Sequence, residues 1–285
     1  MKPDEIILKN NDRIPRIGIG TWYLGDSAAA YEQEKAAIRA GLDAGMSLID
    51  TAEMYGNGNS ERLVGDAIQG YNREKLYLIS KVLPHNAGRK HLEKSLDRTL
   101  KNMKVDYLDM YLLHWRGSIP FAETVDCMEE MKAKGKIKAW GVSNLDTNEM
   151  KELLAVPGGE NCMVNQVLYH LGSRGVEYEL LPWLEKHQIP LMAYCPLAQA
   201  GSLRRGLASS PAVKSVAQAH NITPMQVLLA FILRQPNVFA IPRSSHADHV
   251  LENDETRIVE LTAEEINMLD KAFPAPERKT YLDMV

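Results

Sequence analysis

Ser47-Leu48-Ile49-Asp50-Thr51-Ala52-Glu53-Met54-Tyr55 is a short apolar run that stops on a carboxylate and turns into a loop bearing a phenol. Two further runs stop on a polar residue in the same way. Leu76-Tyr77-Leu78-Ile79-Ser80 ends on Lys81, and Tyr107-Leu108-Asp109-Met110-Tyr111-Leu112-Leu113 ends on His114. Apolar runs of this length, rich in aliphatic and aromatic residues, read as buried strands. As neighbours in one parallel sheet they gather Asp50, Tyr55, Lys81 and His114 at one end of it. A carboxylate, a phenol, an ammonium and an imidazole gathered there make a proton-transfer site.

The pattern extends in both directions. Strands are predicted near 17–22, 47–51, 76–81, 107–114, 137–143, 163–169, 190–194 and 238–242, with helix-period stretches between them. Glu5-Ile6-Ile7-Leu8-Lys9 and Arg13-Ile14-Pro15, joined by Asn10-Asn11-Asp12, read as an opening β-hairpin. Ser210-Pro211 and Thr223-Pro224 each offer an N-cap with proline at the first helical position, so helices are predicted over 211–220 and 224–235. Thr262-Ala263-Glu264-Glu265 is a capping box opening a last helix over 263–272. Strands alternating with helices imply parallel pairing with right-handed crossovers. Eight such units close into a (β/α)8 TIM barrel, whose active sites lie at the carboxyl ends of the strands. The expectation is an α/β protein with an N-terminal hairpin, additional C-terminal helices, and one domain over residues 1–285, since no repeat, low-complexity tract or linker interrupts it.

Bulk properties bound the function. The chain of 285 residues is 45% hydrophobic and 25% charged, an ordinary balance for a globular protein with a large core. Its net charge of −4, from 33 basic and 37 acidic residues, argues against nucleic acid or an anionic membrane as a partner. The longest apolar run, 227–233, falls far short of the ~20 residues that span a bilayer. No basic start followed by an apolar stretch marks a secretory signal, and Cys127, Cys162 and Cys195 are scattered and odd in number. A cytoplasmic monomer acting on a small molecule is expected.

Several motifs fail in context. Gly18-Ile19-Gly20 follows a strand, but Tyr23 stands where a dinucleotide-binding loop has its third glycine, and no helix opens there. Tyr71 with Lys75, and Tyr77 with Lys81, have the spacing of short-chain dehydrogenases, yet they fall in a turn and a strand rather than on a helix face. His246 and His249 lack the further ligands of a zinc site, and no metal is expected.

The four gathered residues suit carbonyl reduction. That reaction delivers a hydride to carbon and a proton to oxygen. A tyrosine can give the proton, but its ordinary pKa of ~10 makes it a poor acid near neutrality. An adjacent ammonium favours the phenolate, and Lys81 is placed to supply it. Asp50 would keep Lys81 charged and oriented, while His114 would hydrogen-bond the substrate oxygen.

The motifs that carry these residues resemble those of the aldo-keto reductases over nearly the whole chain. Gly45-Met46-Ser47-Leu48-Ile49-Asp50-Thr51-Ala52, with Tyr55 and Glu61…Gly65, resembles the family's first signature. Ser80-Lys81-Val82, Leu113-His114-Trp115 and Gly141-Val142-Ser143-Asn144 resemble its lysine, histidine and fifth-strand motifs. Thr51–Tyr55, Leu113–Trp115 and the stretch Gln166–Gly175 are most similar to bacterial methylglyoxal-reducing members. The resemblance implies Tyr55 as proton donor, Lys81 and Asp50 as its supports, and His114 as the substrate-orienting group. It implies an NADPH cofactor whose carboxamide is held by Ser143, Asn144 and Gln166, with Asp50 beside it, and whose nicotinamide stacks on Tyr194. Leu197, Gln199 and Gly201 would offer backbone amides to the pyrophosphate, and Gly20, Thr21 and Trp22 would line the floor. Cys195 stands where serine is common. Arg243, Ser244 and Ser245, followed by Glu252 and Asn253, resemble the adenosine-phosphate clamp, and a guanidinium with two hydroxyls suits a 2′-phosphate. His249 stands where a second arginine is common. Trp22 and Trp115 would wall the substrate beside Tyr55 and His114.

The resulting expectation is NADPH-dependent reduction of small aldehydes and ketoaldehydes such as methylglyoxal. Two other classes compete with it. A non-catalytic NADPH-binding redox sensor of the same fold would not need the four residues intact, and a barrel lyase would use Lys81 as a Schiff-base nucleophile.

Overall fold

A computed structural model of the chain describes residues 4–198 and 202–285. The opening hairpin pairs β1 (Glu5–Ile7) with β2 (Arg13–Pro15), Ile6 facing Ile14. Eight strands follow: β3 (Ile19–Gly20), β4 (Leu48–Asp50), β5 (Tyr77–Val82), β6 (Leu108–Leu113), β7 (Ile137–Ser143), β8 (Asn165–Leu168), β9 (Leu191–Tyr194) and β10 (Val238–Ala240). They form one sheet in sequential order, with every pairing parallel. The sheet closes where Ile17 bridges Ala240 and Gly20 bridges Arg243. Backbone bonds from Gly18 N–H to Ala240 O (2.9 Å) and from Gly20 N–H to Pro242 O (3.0 Å) complete the seam. A side chain at position 20 would put its Cβ 2.6 Å from the Ile241 carbonyl oxygen, so only glycine fits there. The expected barrel is present, with most strand ends trimmed by a residue or two, β7 as expected and β5 reaching one residue further, to Val82.

Because strand side chains alternate, each strand sends every second residue into the barrel. Leu48, Tyr77, Ile79, Met110, Leu112, Ala139, Met192 and Phe239 form this interior cluster, and Ile6, Leu8 and Ile14 of the hairpin segment close it from below. The residues between them, such as Ile49, Leu78, Tyr111, Trp140 and Val167, pack outward under the helices. Each inward row continues upward into a polar side chain. Leu48 leads to Asp50, Tyr77 and Ile79 to Lys81, Met110 and Leu112 to His114, Ala139 to Ser143, Met192 to Tyr194, and Phe239 to Arg243. The same two-residue period that builds the core therefore delivers the polar groups to one mouth.

The helices cover the outside. Thr223 and Thr262 cap theirs with complete capping boxes to Gln226 and Glu265, as their sequences predict. Ser210 makes no side-chain cap bond, although its helix begins at Pro211 as expected. The stretch between β9 and β10 holds a further helix, Ser202–Ser209, besides the two anticipated there. Its Leu-Arg-Arg-Gly-Leu sequence is short and broken by glycine, which hides the helical period. On the second crossover, Gly65 lets the helix Asn59–Ala67 approach the helix Leu92–Met103 so closely that a Cβ would lie 2.5 Å from the Asn102 carbonyl oxygen. Among the described residues no single helix is long and apolar enough to cross a membrane.

Candidate active site

Lys81 is fully buried, with Asp50 beside it at the top of the neighbouring strand. Its ammonium donates to Asp50 Oδ2 (2.7 Å), to the Thr51 carbonyl oxygen (2.8 Å) and to Tyr55 Oη (3.0 Å). An ammonium has three protons, and all three have acceptors. Burial presses the Lys81 pKa down, and Asp50 opposes that shift. Burial likewise raises the Asp50 carboxyl, while Lys81 and the Gln166 amide hold it ionised. Each charge is the reason the other can exist in the core. An amine saturated in this way has no free lone pair, which disfavours the Schiff-base alternative.

Tyr55 sits just past β4, at 9% exposure, with the Lys81 ammonium 4.7 Å from its ring centre. Burial, followed by the Asp50 carboxylate, raises its pKa well above the ordinary value. The sequence reading expected the opposite sign. The reason is that Asp50 shares the ammonium, so the pair presents little net positive charge and desolvation dominates. The phenol is therefore protonated at neutral pH, and its contact with Lys81 stabilises the phenolate only as the proton departs.

The ring of His114 stands 5.8 Å from that of Tyr55, edge on. Burial, then Lys81, lowers its pKa to about 2, so the imidazole is neutral. Its Nδ1 is buried without a hydrogen-bond partner among the described residues. A bare lone pair is tolerated there more easily than a bare N–H, which favours the proton on Nε2. Trp22 lies 6.3 Å from the Tyr55 ring and Trp115 4.8 Å from that of His114. Tyr23 stacks on Trp22 at 4.6 Å, extending the aromatic row to the surface.

On the other side of Asp50, Gln166 donates to Asp50 Oδ1 (2.9 Å), and Ser143 donates to the Gln166 carbonyl oxygen (2.8 Å). Asn144, at φ +58°, bonds the His114 carbonyl oxygen and accepts the Tyr194 hydroxyl (2.9 Å). A non-glycine residue in that conformation is held by its surroundings, here by the ends of three strands. Ser143, Asn144, Gln166 and Tyr194 are thus brought together beside Asp50.

A cavity of about 350 Å³ opens next to them, lined by Gly20, Thr21, Trp22, Asp50, Tyr55, Tyr194, Leu197, Arg204 and Arg243 among others. Trp115 is not among its lining residues. Ser244 is buried and bonds the His246 backbone, and the Ser245 carbonyl oxygen accepts from Gln33. Glu252 accepts the Thr223 hydroxyl, so it also fastens a helix N-terminus, and Asn253 is buried behind it. Gln199 and Gly201 lie outside the described residues. A hollow of about 550 Å³ at the opposite end is lined by Asp4, Arg13, Arg16, Asp254 and Arg257, away from all of this machinery.

The sequence reading missed Arg204, Glu53 and Tyr23. Among the described residues Arg204 bonds the Leu197 and Ala198 carbonyl oxygens, and the like charge of Arg243 helps to lower its pKa after burial. Two guanidiniums facing one cavity, with no carboxylate bound to Arg204 among the described residues, make an anion site. The doubled arginine of Arg204-Arg205 was the available signal.

These features agree with what comparisons find. The family model described as the aldo/keto reductase family matches residues 16–273. The chain is 53% identical to the methylglyoxal reductase YeaE of Escherichia coli over 95% of both chains. It is 33% identical to the glyoxal reductase of Bacillus subtilis, covering 94% of this chain and 92% of the other. A crystal structure of an aldo-keto reductase from Klebsiella pneumoniae in complex with NADPH superposes with a TM-score of 0.97 at 50% identity, covering 100% of each chain.

The buried histidine has a consequence for stability. Its folded pKa of about 2 lies below the unfolded value of about 6.5, so between those limits the unfolded chain binds a proton that the folded chain refuses. Stability is present above pH ~6.5 and is lost as pH falls below it. His170, lowered to about 4 chiefly by burial, contributes in the same direction. Urea unfolding from pH 7 to pH 4.5 should show this decline, with a shallower slope in His114→Gln. An identical slope in the variant would contradict the assignment.

Proposed function

The chain belongs to the aldo/keto reductase family, and from that premise we propose that it reduces small aldehydes and ketoaldehydes of the methylglyoxal kind to alcohols, using NADPH. The observation that carries the reading is the saturated ammonium of Lys81, 2.7 Å from Asp50 and 3.0 Å from the Tyr55 hydroxyl. Bound NADPH supplies a hydride to the carbonyl carbon. Tyr55 gives its proton to the carbonyl oxygen, and Lys81 stabilises the phenolate that remains. His114, neutral with its proton on Nε2, donates a hydrogen bond to that oxygen and orients it.

The residues present fit such a cofactor. Ser143, Asn144 and Gln166 offer the hydroxyl and amides that a carboxamide needs, and the Tyr194 ring flanks the cavity where a nicotinamide would stack. Leu197 lines the cavity and would offer its backbone amide to the pyrophosphate. Arg204 adds a cation there. Arg243, Ser244 and Ser245, with Glu252 and Asn253 behind them, would take the adenosine and its 2′-phosphate. All these groups come from one chain, so a monomer suffices. The non-catalytic sensor is the weaker reading, because Asp50, Lys81 and Tyr55 are buried and hydrogen-bonded through the Lys81 ammonium, with the His114 ring edge-on to Tyr55.

Trp22 and Tyr55 would give a substrate an aromatic wall, with the neutral His114 as donor beside Tyr55 and Trp115 packed against His114 outside the cavity lining. Small uncharged carbonyls suit such a site better than sugars or carboxylate-bearing aldehydes. Apolar contacts discriminate by only about 1–3 kcal/mol per methylene-sized difference, so several aldehydes should react with overlapping efficiency. The test is kcat/KM with NADPH for methylglyoxal, a simple aromatic aldehyde, glucose and succinic semialdehyde. Methylglyoxal or the aromatic aldehyde should lead, and Tyr55→Phe should lower turnover by roughly 10²-fold or more. A lead for glucose or the charged aldehyde would overturn the pocket reading, and near-normal turnover of Tyr55→Phe would overturn the mechanism.

Cofactor choice has its own test. A charge-assisted hydrogen bond contributes about 1.5–3 kcal/mol. Arg243→Ala should therefore weaken NADPH binding about tenfold or more while leaving NADH nearly unchanged, as read by tryptophan fluorescence. Equal losses for both cofactors would show that Arg243 does not read the 2′-phosphate.

A further inference from the structure

The loop from Asp50 to Tyr55 contains one charged side chain that the chemistry above does not use. Glu53 is 3% exposed, whereas its neighbour Met54 is 41% exposed. Burying a carboxylate is unfavourable unless donors surround it. Glu53 has such donors, and they come from two places. Its Oε1 accepts the Leu83 backbone N–H (2.7 Å) and the Asn86 amide (3.0 Å), while Oε2 accepts the Arg98 guanidinium (2.5 Å). Its own N–H reaches the Lys81 carbonyl oxygen at 3.3 Å. Leu83 and Asn86 lie in the turn directly after β5, the strand that carries Lys81. Arg98 belongs to the helix Leu92–Met103 packed outside it.

The placement matters because the contacts of Lys81 are not equally secured. Asp50 and Lys81 sit on adjacent paired strands, where the ladder sets their spacing. Tyr55 is five residues beyond Asp50, followed by Gly56 and Asn57 in left-handed conformations, and its backbone N–H bonds only locally, to Ala52. No ladder fixes its hydroxyl against the ammonium. Glu53 is the side chain that ties this loop to the Lys81 segment.

We propose that Glu53 is a positioning residue for the proton transfer, holding the Tyr55 hydroxyl within hydrogen-bonding distance of Lys81. This rests on the reductase reading given above. Glu53 touches neither substrate nor cofactor, so its loss should act on the chemical step and leave binding alone. A slack of about 1 Å in a catalytic group can lower turnover by as much as 10²-fold.

The test compares Glu53→Ala and Glu53→Gln in the full-length enzyme with NADPH and methylglyoxal. Glu53→Ala should lower kcat about tenfold or more, with KM for methylglyoxal and the NADPH Kd from fluorescence changed by less than about twofold. Glu53→Gln keeps a carbonyl oxygen for Leu83 and should recover most of kcat. If Glu53→Ala does not fold, Glu53→Gln combined with Asn86→Ala should still fall below Glu53→Gln alone in kcat at unchanged KM. Full kcat in Glu53→Ala, or matched losses in kcat and binding that Glu53→Gln does not repair, would overturn the proposal. Wild-type protein inactive on every carbonyl would instead overturn the reductase reading beneath it.

Discussion

The contact between Lys81 and Asp50 is the constraint on which the rest of this structure depends. Two opposite charges lie buried at the mouth of the barrel, above its apolar interior, and neither is tolerable there alone. Their pairing requires β4 and β5 to run in parallel, at a register that sets Asp50 against Ile79 and leaves Lys81 one inward position higher. It also requires the barrel to close, so that water does not take the place of the partner. Lys81 also donates to the Tyr55 hydroxyl, and the second oxygen of Asp50 accepts from Gln166, so the pair fixes polar groups on both sides of it. One buried ion pair thus ties β4 and β5 to the Tyr55 loop and to β8.

Much of this was legible because the core and the site share a period. Apolar rows such as Tyr77 and Ile79 point inward at every second residue, and the next inward position is the functional one. A reader who finds where each run stops being apolar has found Asp50, Lys81 and His114. Ser143, Gln166 and Tyr194 follow the same rule, although their roles came from resemblance to a family rather than from the pattern itself. The hairpin was legible from Asn10-Asn11-Asp12, and its packing under the barrel explains why Ile14 is fully buried.

What stayed hidden depends on contacts between loops, which have no period. Glu53 looks like an exposed loop acid until Leu83, Asn86 and Arg98 are seen around it. Arg204 sits on a helix too short to announce itself, and only the structure shows that it lines the same cavity as Arg243. The sign of the Tyr55 shift was hidden for another reason. Residue identity shows that an ammonium is near, but only the structure shows that Asp50 already claims that ammonium and that the phenol is cut off from water.

In the proposed mechanism the ion pair acts through the Tyr55 hydroxyl and not through binding. A double-mutant cycle tests it most directly. One arm replaces Lys81→Met together with Asp50→Asn, so that no bare charge is left in the core, and the other replaces Tyr55→Phe. With NADPH binding followed by fluorescence as the control for an intact site, the pair substitution should lower kcat steeply in the wild-type background and add little once the hydroxyl is gone. Losses that multiply in full across the two arms would contradict the claim, because they would show the ion pair and the phenol contributing independently.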